Sequence, residues 1–262
     1  MYATLIAVAA LWGAVTGLLV PRPAYRLSVE PDEPWRDACP AGHPFTGPAR
    51  GWLGAPRCTA CAVAVPVGSA RPATTDTGAP DRTATVPVVT ALVCAALAAA
   101  TGPRPELVVW LLAAPVAVLL ALVDRAVHRL PDRLTLPLAA GTAALLGVAA
   151  LLPWHAGSWP TALLGGLALG TGYFVLFLVN PSGMGFGDVK LALALGVVLG
   201  WYGWGVLFVG AFAGFLFGAV YGFALVALRR ASRKSAIPFG PFMIGGALVG
   251  VLLGAFAAVP AA

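Results

Sequence analysis

The sequence predicts an all-α, polytopic membrane protein with about eight transmembrane helices and a small cytosolic insert after the first helix. Of its 262 residues, 60% are hydrophobic and only 10% are charged, whereas soluble domains carry about 25% charged residues. Long polar sequence occurs in one segment only, residues 21–84. A soluble protein is therefore excluded. We expect no nucleic-acid partner despite the net charge of +6, because the basic residues lie in connections between apolar runs.

Eight apolar runs predict the membrane-spanning helices, since a crossing needs about 20 residues. The runs cover residues 2–20, 86–101, 106–123, 134–152, 161–179, 189–201, 204–228 and 237–258. The sixth run is the shortest. The chain is thereby divided into transmembrane helix 1 (1–20), the cytosolic insert (21–84) and a membrane domain (85–262).

The distribution of Lys and Arg predicts the orientation. If residues 21–84 are cytosolic, 15 of the 16 basic residues lie on the cytosolic side and only Arg104 lies outside. This asymmetry is typical of a multi-pass protein of the inner (plasma) membrane. We expect the first run to be an anchor instead of a cleaved signal peptide, because no small-residue cleavage site precedes Pro21 and Arg22.

The insert contains four residues with the spacing of a zinc site. Cys39 and His43 are separated by a loop from the C-x-x-C pair of Cys58 and Cys61. Two such ligand pairs suit tetrahedral Zn²⁺, and metal binding would order a segment that has few apolar residues. The alternative is a set of unrelated reduced thiols with a surface histidine. Residues 66–84 have the composition of a flexible linker.

Two acidic residues lie at one depth of the predicted membrane domain. Asp124 follows the third run and Asp188 precedes the sixth, so both lie near the inner edge of the hydrocarbon. Ionisable groups at this depth are costly and indicate function. Two close carboxylates share a proton, so one can activate water while the other protonates a peptide carbonyl. The alternative is that each is solvated at the interface. Glu106, at an outer helix start, is expected only to complement the helix dipole.

The helix ends predict which carboxylate is ionised. Asp188 is expected at a helix N-terminus, where the dipole favours a negative charge, and Asp124 at a C-terminus, where the dipole opposes it. We therefore expect Asp188 to be the ionised partner of the pair.

The stretch "GMGFGDVK" places Gly183, Gly185 and Gly187 directly before Asp188. Glycine permits backbone angles closed to other residues and carries no side chain, so a substrate strand could lie against this backbone. The alternative is a flexible turn between helices. Three roles are open for Lys190, namely steadying the Asp188 loop, contacting substrate, or extending to the membrane interface.

Three motifs resemble those of the prepilin peptidases, the type IV leader peptidases of the GxGD class of intramembrane aspartic proteases. "GMGFGDVKL" (183–191) is similar to the family's GxGxGDxKL motif, "DRAVHRLPDRLTLP" (124–137) to its other aspartate element and "IPFGPFMIGGAL" (237–248) to its last-helix motif. The resemblance covers residues 86–258. It implies eight helices and an aspartic endopeptidase domain in the membrane, and it implies prepilin-like or pseudopilin-like membrane proteins as substrates, cleaved at the cytosolic edge among membrane lipids.

The resemblance also implies roles for single residues. Asp124 and Asp188 correspond to the catalytic pair, whereas Asp132 belongs to a Pro-Asp turn and is not expected to be catalytic. The family's usual metal arrangement has two C-x-x-C pairs, and here Gly42 stands where the fourth cysteine is expected, with His43 beside it as a substitute ligand.

The family's bifunctional members also methylate the new N-terminus. They carry a Gly-Ser-Phe-Leu-Asn-Val stretch after the first helix. Here only Gly17 and the Tyr25–Leu27 end of that region look similar. S-adenosylmethionine is therefore expected as a cofactor only if N-methyltransferase activity is retained.

Two other functions are consistent with membrane carboxylates. A proton-coupled transporter would usually place them near the midplane and show an internal repeat, and neither is seen here. A non-catalytic component of pilus or secretion assembly would not require intact peptidase motifs.

Overall fold

The computed structural model describes residues 2–30, 33–54, 58, 60–61, 82–181, 183–229 and 237–258. Within these ranges the chain is helical and has no strand, apart from an isolated antiparallel bridge between Ala38 and Pro44. Most of the predicted linker (66–84) and the basic residues at 230–234 lie outside the described residues. The division of the chain into three parts therefore stays a prediction.

Ten helical elements are described. They are α1 (Tyr2–Leu19), α2 (Pro21–Leu27), α3 (Pro48–Gly51), α4 (Arg82–Thr101), α5 (Glu106–Val127), α6 (Asp132–Ala149), α7 (Trp159–Val179), α8 (Phe186–Gly200), α9 (Trp204–Ala227) and α10 (Gly240–Ala257). Element α3 is a single turn in which Ala49 and Arg50 have left-handed backbone angles.

All eight predicted runs are helices, with ends that differ from the prediction by a few residues. Six stretches of the described chain are long and apolar enough to cross a membrane, and they contain α1, α4, α5, α7, α9 and α10. The remaining two helices are α6, which begins with the charged residues Asp132 and Arg133, and α8, which has 15 residues. At 1.5 Å per residue α8 is about 22 Å long, shorter than the roughly 30 Å of hydrocarbon.

The short helix α8 lies at the centre of the bundle. Eleven of its residues are buried, and it packs against α6, α7, α9 and α10. A helix enclosed by other helices contacts little lipid, so its length does not have to match the bilayer. Helix α5 packs against α4, α6 and α10, and in the described part of the chain it does not pack against α8.

Close approach of α7 and α8 depends on glycine. A Cβ atom at Gly165 would lie 2.6 Å from the carbonyl oxygen of Gly196 and 2.8 Å from the Cα atom of Gly200. Lipid supplies no hydrophobic force between helices, so membrane helices associate through close packing of small residues. These glycines therefore set the distance at which the central helix is held.

At the end of the bundle opposite Asp124 and Asp188, several helix ends are joined around Glu106, which is completely buried. Its Oε1 lies 3.7 Å from Arg104 Nε and accepts a hydrogen bond from the backbone N–H of Ala156 at 3.3 Å. Arg104 also donates to the carbonyl of Ala255 at 2.7 Å. Glu106 was expected only to complement a helix dipole. It also connects the start of α5 to the α6–α7 loop and, through Arg104, to the end of α10.

The packing of α7 on α8 predicts unequal effects of two alanine substitutions in α7. We expect Gly165→Ala to destabilise the protein by about 1–3 kcal/mol, because the new methyl group would overlap backbone atoms that cannot rotate away. Gly172 has no atom within 4 Å of an added Cβ, so Gly172→Ala should leave stability unchanged or slightly raised. Unfolding of both variants in detergent, followed by tryptophan fluorescence, measures the difference. Equal stability of the two variants would contradict this packing.

Candidate active site

Asp124 and Asp188 line one cavity of about 870 Å³ at the end of the bundle where α5 finishes and α8 begins. Both side chains are buried, with 4% and 7% exposure. The other residues that line the cavity come from the loop after α5, the start of α6, the glycine segment, α8, α9 and the approach to α10: His128, Arg129, Leu130, Asp132, Pro181, Gly183, Met184, Gly185, Phe186, Gly187, Lys190, Gly218, Ile237, Pro238 and Phe239. The structure thus brings together the two carboxylates that the sequence singled out.

Asp124 is held by the start of α10. It lies in the last turn of α5, and its Oδ2 accepts a hydrogen bond from the backbone N–H of Gly240 at 2.9 Å. Gly240 is the first residue of α10, so the positive end of that helix faces the carboxylate. A Cβ atom at Gly240 would lie 2.8 Å from Asp124 Oδ2. The contact therefore requires glycine at this position.

Asp188 is held by its own loop. It lies in the first turn of α8, which confirms the predicted helix N-terminus, and its Oδ2 accepts the backbone N–H of Gly185 at 3.2 Å. Each carboxylate thus receives one backbone N–H at a helix start. We expected Asp188 to be ionised and Asp124 to hold the proton, because Asp124 lies at the C-terminus of its own helix. Because the start of α10 favours charge on Asp124, the helix ends no longer distinguish the two carboxylates.

The glycine segment, residues 183–187, lies against the loop after α5. Gly183, Gly185 and Gly187 are not among the described glycines with a positive φ. Their backbone angles therefore do not require glycine, and the expected approach of a substrate strand to this backbone stays a prediction. A Cβ atom at Gly187 would lie 2.9 Å from the Cβ of Leu130, so the missing side chain lets the loop after α5 lie directly on the start of α8.

Lys190 forms an ion pair with Asp132 at 2.6 Å, and its Nζ lies 4.8 Å from the centre of the Phe186 ring. The pair joins the first turn of α8 to the first turn of α6. Lys190 therefore steadies the Asp188 segment, which is one of the three roles considered. It also lines the cavity, so a contact with substrate is sterically open to it.

An aromatic group behind the cavity was not predicted from the sequence. Tyr173 of α7 stacks on Phe215 of α9 with ring centres 5.5 Å apart, and Phe215 lies 5.2 Å from Phe239. Phe239 lines the cavity and directly precedes Gly240. These contacts fix the start of α10 and hence the donor to Asp124.

The structure also assembles the four predicted metal ligands of the insert. Nδ1 of His43 lies 3.6 Å from Cys39 Sγ, 3.2 Å from Cys61 Sγ and 3.8 Å from Cys58 Sγ, and the Sγ atoms of Cys39 and Cys61 are 3.7 Å apart. A tetrahedral ion with ligand bonds of about 2.3 Å to sulfur places two sulfur atoms about 3.8 Å apart. The donor set and its spacing therefore fit a metal ion, with His43 in the place of a fourth cysteine.

A tight turn explains why the histidine occupies that place. Gly42 has a φ of +81°, a conformation that favours glycine. Its N–H donates to the carbonyl of Cys39 at 2.8 Å, and the N–H of Cys39 donates to the carbonyl of His43 at 2.9 Å. The chain turns at Gly42, so His43 one residue later reaches the thiols.

The thiols of the cluster differ in acidity. Burial acts to raise the pKa of Cys39, but hydrogen bonds from the backbone of His43 and Ala41 and from the neighbouring side chains lower that pKa to about 6. Burial and the thiols of Cys39 and Cys58 raise the pKa of Cys61 to about 11. A thiolate is the form that binds metal, and the surroundings of Cys39 favour that form.

Two arginines of α2 hold residues 45–53, which we call the ligand loop because they lie between the two pairs of predicted ligands. Arg22 lies over the ring of Phe45 at 5.1 Å and donates to two loop carbonyls at 3.0 and 3.2 Å. Arg26 lies over Trp52 at 4.2 Å and donates to a third carbonyl at 3.2 Å. Both arginines are buried. From the sequence, these arginines were only counted among the basic residues expected on the cytosolic side. Their packing against the loop was not predicted.

Comparison with known proteins gives a consistent result. The model of the type IV leader peptidase family matches residues 110–223, which include both buried aspartates. The prepilin leader peptidase/N-methyltransferase of Aeromonas salmonicida is 31% identical over 233 residues, covering 84% of this chain and 72% of that protein. The protein of the same name from Aeromonas hydrophila is 32% identical over 249 residues, covering 90% and 76%.

The chain belongs to the type IV leader peptidase family. A third relative, the protein of the same name from Bacillus subtilis, is 31% identical over 167 residues, covering 62% of this chain and 64% of that protein. No solved structure matches the chain significantly. The resemblance inferred from the three motifs is thereby confirmed, and the protein is a membrane-bound protease.

The contact between Gly240 and Asp124 predicts a sensitive position. We expect Gly240→Ala to lower peptidase activity by about a hundredfold, because a displacement of about 1 Å at a catalytic group has effects of this size. Gly141→Ala is the control, since no atom lies within 4 Å of an added Cβ there. Initial cleavage rates in detergent, with a folding check by gel filtration, measure both variants. A folded Gly240→Ala variant with full activity would show that this contact does not position Asp124.

Proposed function

We propose that this protein is a membrane aspartic endopeptidase that cleaves the short leader from prepilin-like or pseudopilin-like membrane proteins. The observation that carries the proposal is the pair of buried carboxylates, Asp124 and Asp188, in one cavity. The relatives from Aeromonas support the substrate class, because they are named prepilin leader peptidase/N-methyltransferase. The same motifs disfavour the transporter and the non-catalytic assembly component.

Catalysis needs one shared proton between the two carboxylates. The ionised partner takes a proton from water while the resulting hydroxide adds to the carbonyl carbon of the scissile peptide bond. The protonated partner donates its proton to the carbonyl oxygen. When the tetrahedral intermediate collapses, the carbon–nitrogen bond breaks, the leaving amine receives a proton, and one proton again remains between the carboxylates. The backbone donors Gly240 and Gly185 hold the two carboxylates in position for both steps.

We place the active site at the cytosolic edge of the inner membrane. The sequence favours this orientation, since fifteen of the sixteen basic residues fall in segments predicted to lie on the same side as Asp124 and Asp188, and Arg104 alone falls in a connection on the other side. The cavity is lined by the end of α5 and the start of α8, at the inner edge of the hydrocarbon. A substrate anchored by an apolar segment with its leader in the cytosol would present its cleavage site at this depth, beside the surrounding lipids.

For the insert we propose a structural zinc ion held by Cys39, His43, Cys58 and Cys61. Thiolate and imidazole ligands in a closed four-ligand set are the usual chemistry of structural zinc. The ion would join the two halves of a segment that has little apolar core of its own.

Methyl transfer is not assigned to this chain. Two features of the family's methylation stretch remain, but the structure gives one of them a packing reason. A Cβ atom at Gly17 would lie 2.6 Å from the Cα atom of Pro87, so Gly17 is required for the contact between α1 and α4. S-adenosylmethionine thus stays an expected cofactor only where a methylation assay shows activity.

Substitution of either catalytic carboxylate tests the peptidase proposal. We expect Asp124→Asn and Asp188→Asn each to lower the rate of leader cleavage by about 10²–10⁴-fold, because either change removes one partner of the proton exchange. Glu33→Gln is the control, since Glu33 is an exposed carboxylate of the insert and does not line the catalytic cavity. Processing of a co-expressed prepilin-like substrate, followed by its mobility shift, reports all three. Full processing by either Asp124→Asn or Asp188→Asn would end the dyad proposal.

Metal content tests the zinc proposal. We expect the purified protein to hold about one Zn²⁺ per chain and the Cys58→Ser/Cys61→Ser double variant to hold none. Elemental analysis by mass spectrometry gives the stoichiometry. Cys94→Ser is the control, because Cys94 is buried in α4 and lies outside the ligand cluster. Metal-free wild type, or unchanged zinc in the double variant, would reject the site.

A further inference from the structure

A second, apolar groove of about 340 Å³ runs along the membrane part of the bundle. Its walls come from α4, α5, α6, α8 and α10. The residues that line it are Val89, Val93, Leu97, Trp110, Ala113, Ala114, Ala117, Val118, Ala121, Leu122, Arg125, Leu138, Thr142, Ala194, Leu195, Val198, Pro241, Ile244, Gly245, Ala247, Leu248 and Val251. Except for Thr142 and Arg125, these residues are apolar or aromatic.

The groove lies between the two helices that carry the buried carboxylates. In the described chain α5 and α8 do not pack against each other, and both contribute walls to this space. Its inner end is formed by Arg125 and Pro241, which directly follow Asp124 and its backbone donor Gly240. One end of the groove therefore lies beside Asp124 and Gly240, although the groove and the candidate catalytic cavity share no lining residue.

We propose that this groove receives the apolar membrane segment of the peptide substrate, so that the scissile bond is delivered beside Asp124. The inference rests on the proposed peptidase function and adds the surface that holds the substrate. From Trp110 to Arg125 the groove follows sixteen residues of α5, and the fifteen steps between them cover about 22 Å of helix. This length matches an apolar helix that spans most of the bilayer and emerges at the catalytic edge.

The dimensions of the groove define how a helix would bind. A whole helix is 10–12 Å wide with its side chains, so a space of 340 Å³ along about 22 Å takes one ridge of side chains and leaves the rest of the helix facing lipid. On α5 the wall includes Ala113, Ala117 and Ala121, which are four residues apart and share one face. Small residues on one face let a second helix approach closely in a membrane.

Filling the groove tests the inference. We expect Ala117→Leu to slow cleavage of a membrane-anchored prepilin-like substrate by about ten- to hundredfold, through displacement of the scissile bond. Cleavage of a short soluble peptide that contains the leader and scissile bond, but no apolar segment, should be unchanged. Ala168→Leu is the matched control, because Ala168 lies on an exposed part of α7 away from the groove.

A photo-crosslinking amino acid at position 117, in the Asp188→Asn background, identifies the occupant. We expect a crosslink to the apolar segment of the anchored substrate, and none from the same probe at position 168. A crosslink to phospholipid alone, or equal slowing of the soluble peptide by Ala117→Leu, would overturn the inference. If wild type cleaves neither substrate, the peptidase proposal itself fails. If it cleaves the anchored substrate and Ala117→Leu cleaves it equally fast, only the groove inference fails.

Discussion

The two carboxylates are carried by helices α5 and α8, which have no Cα atoms within 8 Å of each other in the described chain, and contacts at the helix ends hold each carboxylate in place. The start of α10 holds Asp124 through the N–H of Gly240. The loop after α5 rests on Gly187, next to Asp188, through Leu130. The candidate cavity is thus a property of several helix ends that meet at one depth. The same separation leaves space between the helices for a substrate segment.

These contacts also constrain the charges in the cavity. Asp124 and Asp188 each accept one backbone N–H at a helix start, where a negative charge is favoured. Two adjacent negative charges repel, so one proton shared by the pair relieves the repulsion. Because both sites receive similar donors, the proton belongs to the pair as a unit. An arrangement with nearly equal partners suits a reaction in which the two carboxylates exchange roles as proton donor and acceptor.

The sequence was sufficient for the helices and the carboxylates, because hydropathy and a charge at membrane depth are local features of the chain. The reason for Gly187 was not predictable, since it depends on Leu130, which lies far away in sequence. The burial of Glu106 was missed for the same reason, as its partners include the backbone of Ala156 in a distant loop. The place of His43 in the cysteine cluster was predictable from its position beside a missing cysteine, whereas the turn at Gly42 that presents it was not.

The Cys39–His43–Cys58–Cys61 cluster and helix α5, which carries Asp124, are connected through α2. The arginines of α2 hold the ligand loop, while Leu27 on the same helix packs against Val123, the residue before Asp124. Trp52 of the ligand loop packs against the same apolar cluster, and Arg129, after α5, donates to the carbonyl of a residue in the insert at 3.1 Å. With the proposed zinc in place, the free energy of metal binding would also order these contacts. The insert then stabilises the end of α5 that carries Asp124. Loss of the metal should therefore make the position of Asp124 less well defined, although none of the four proposed ligands lines the catalytic cavity.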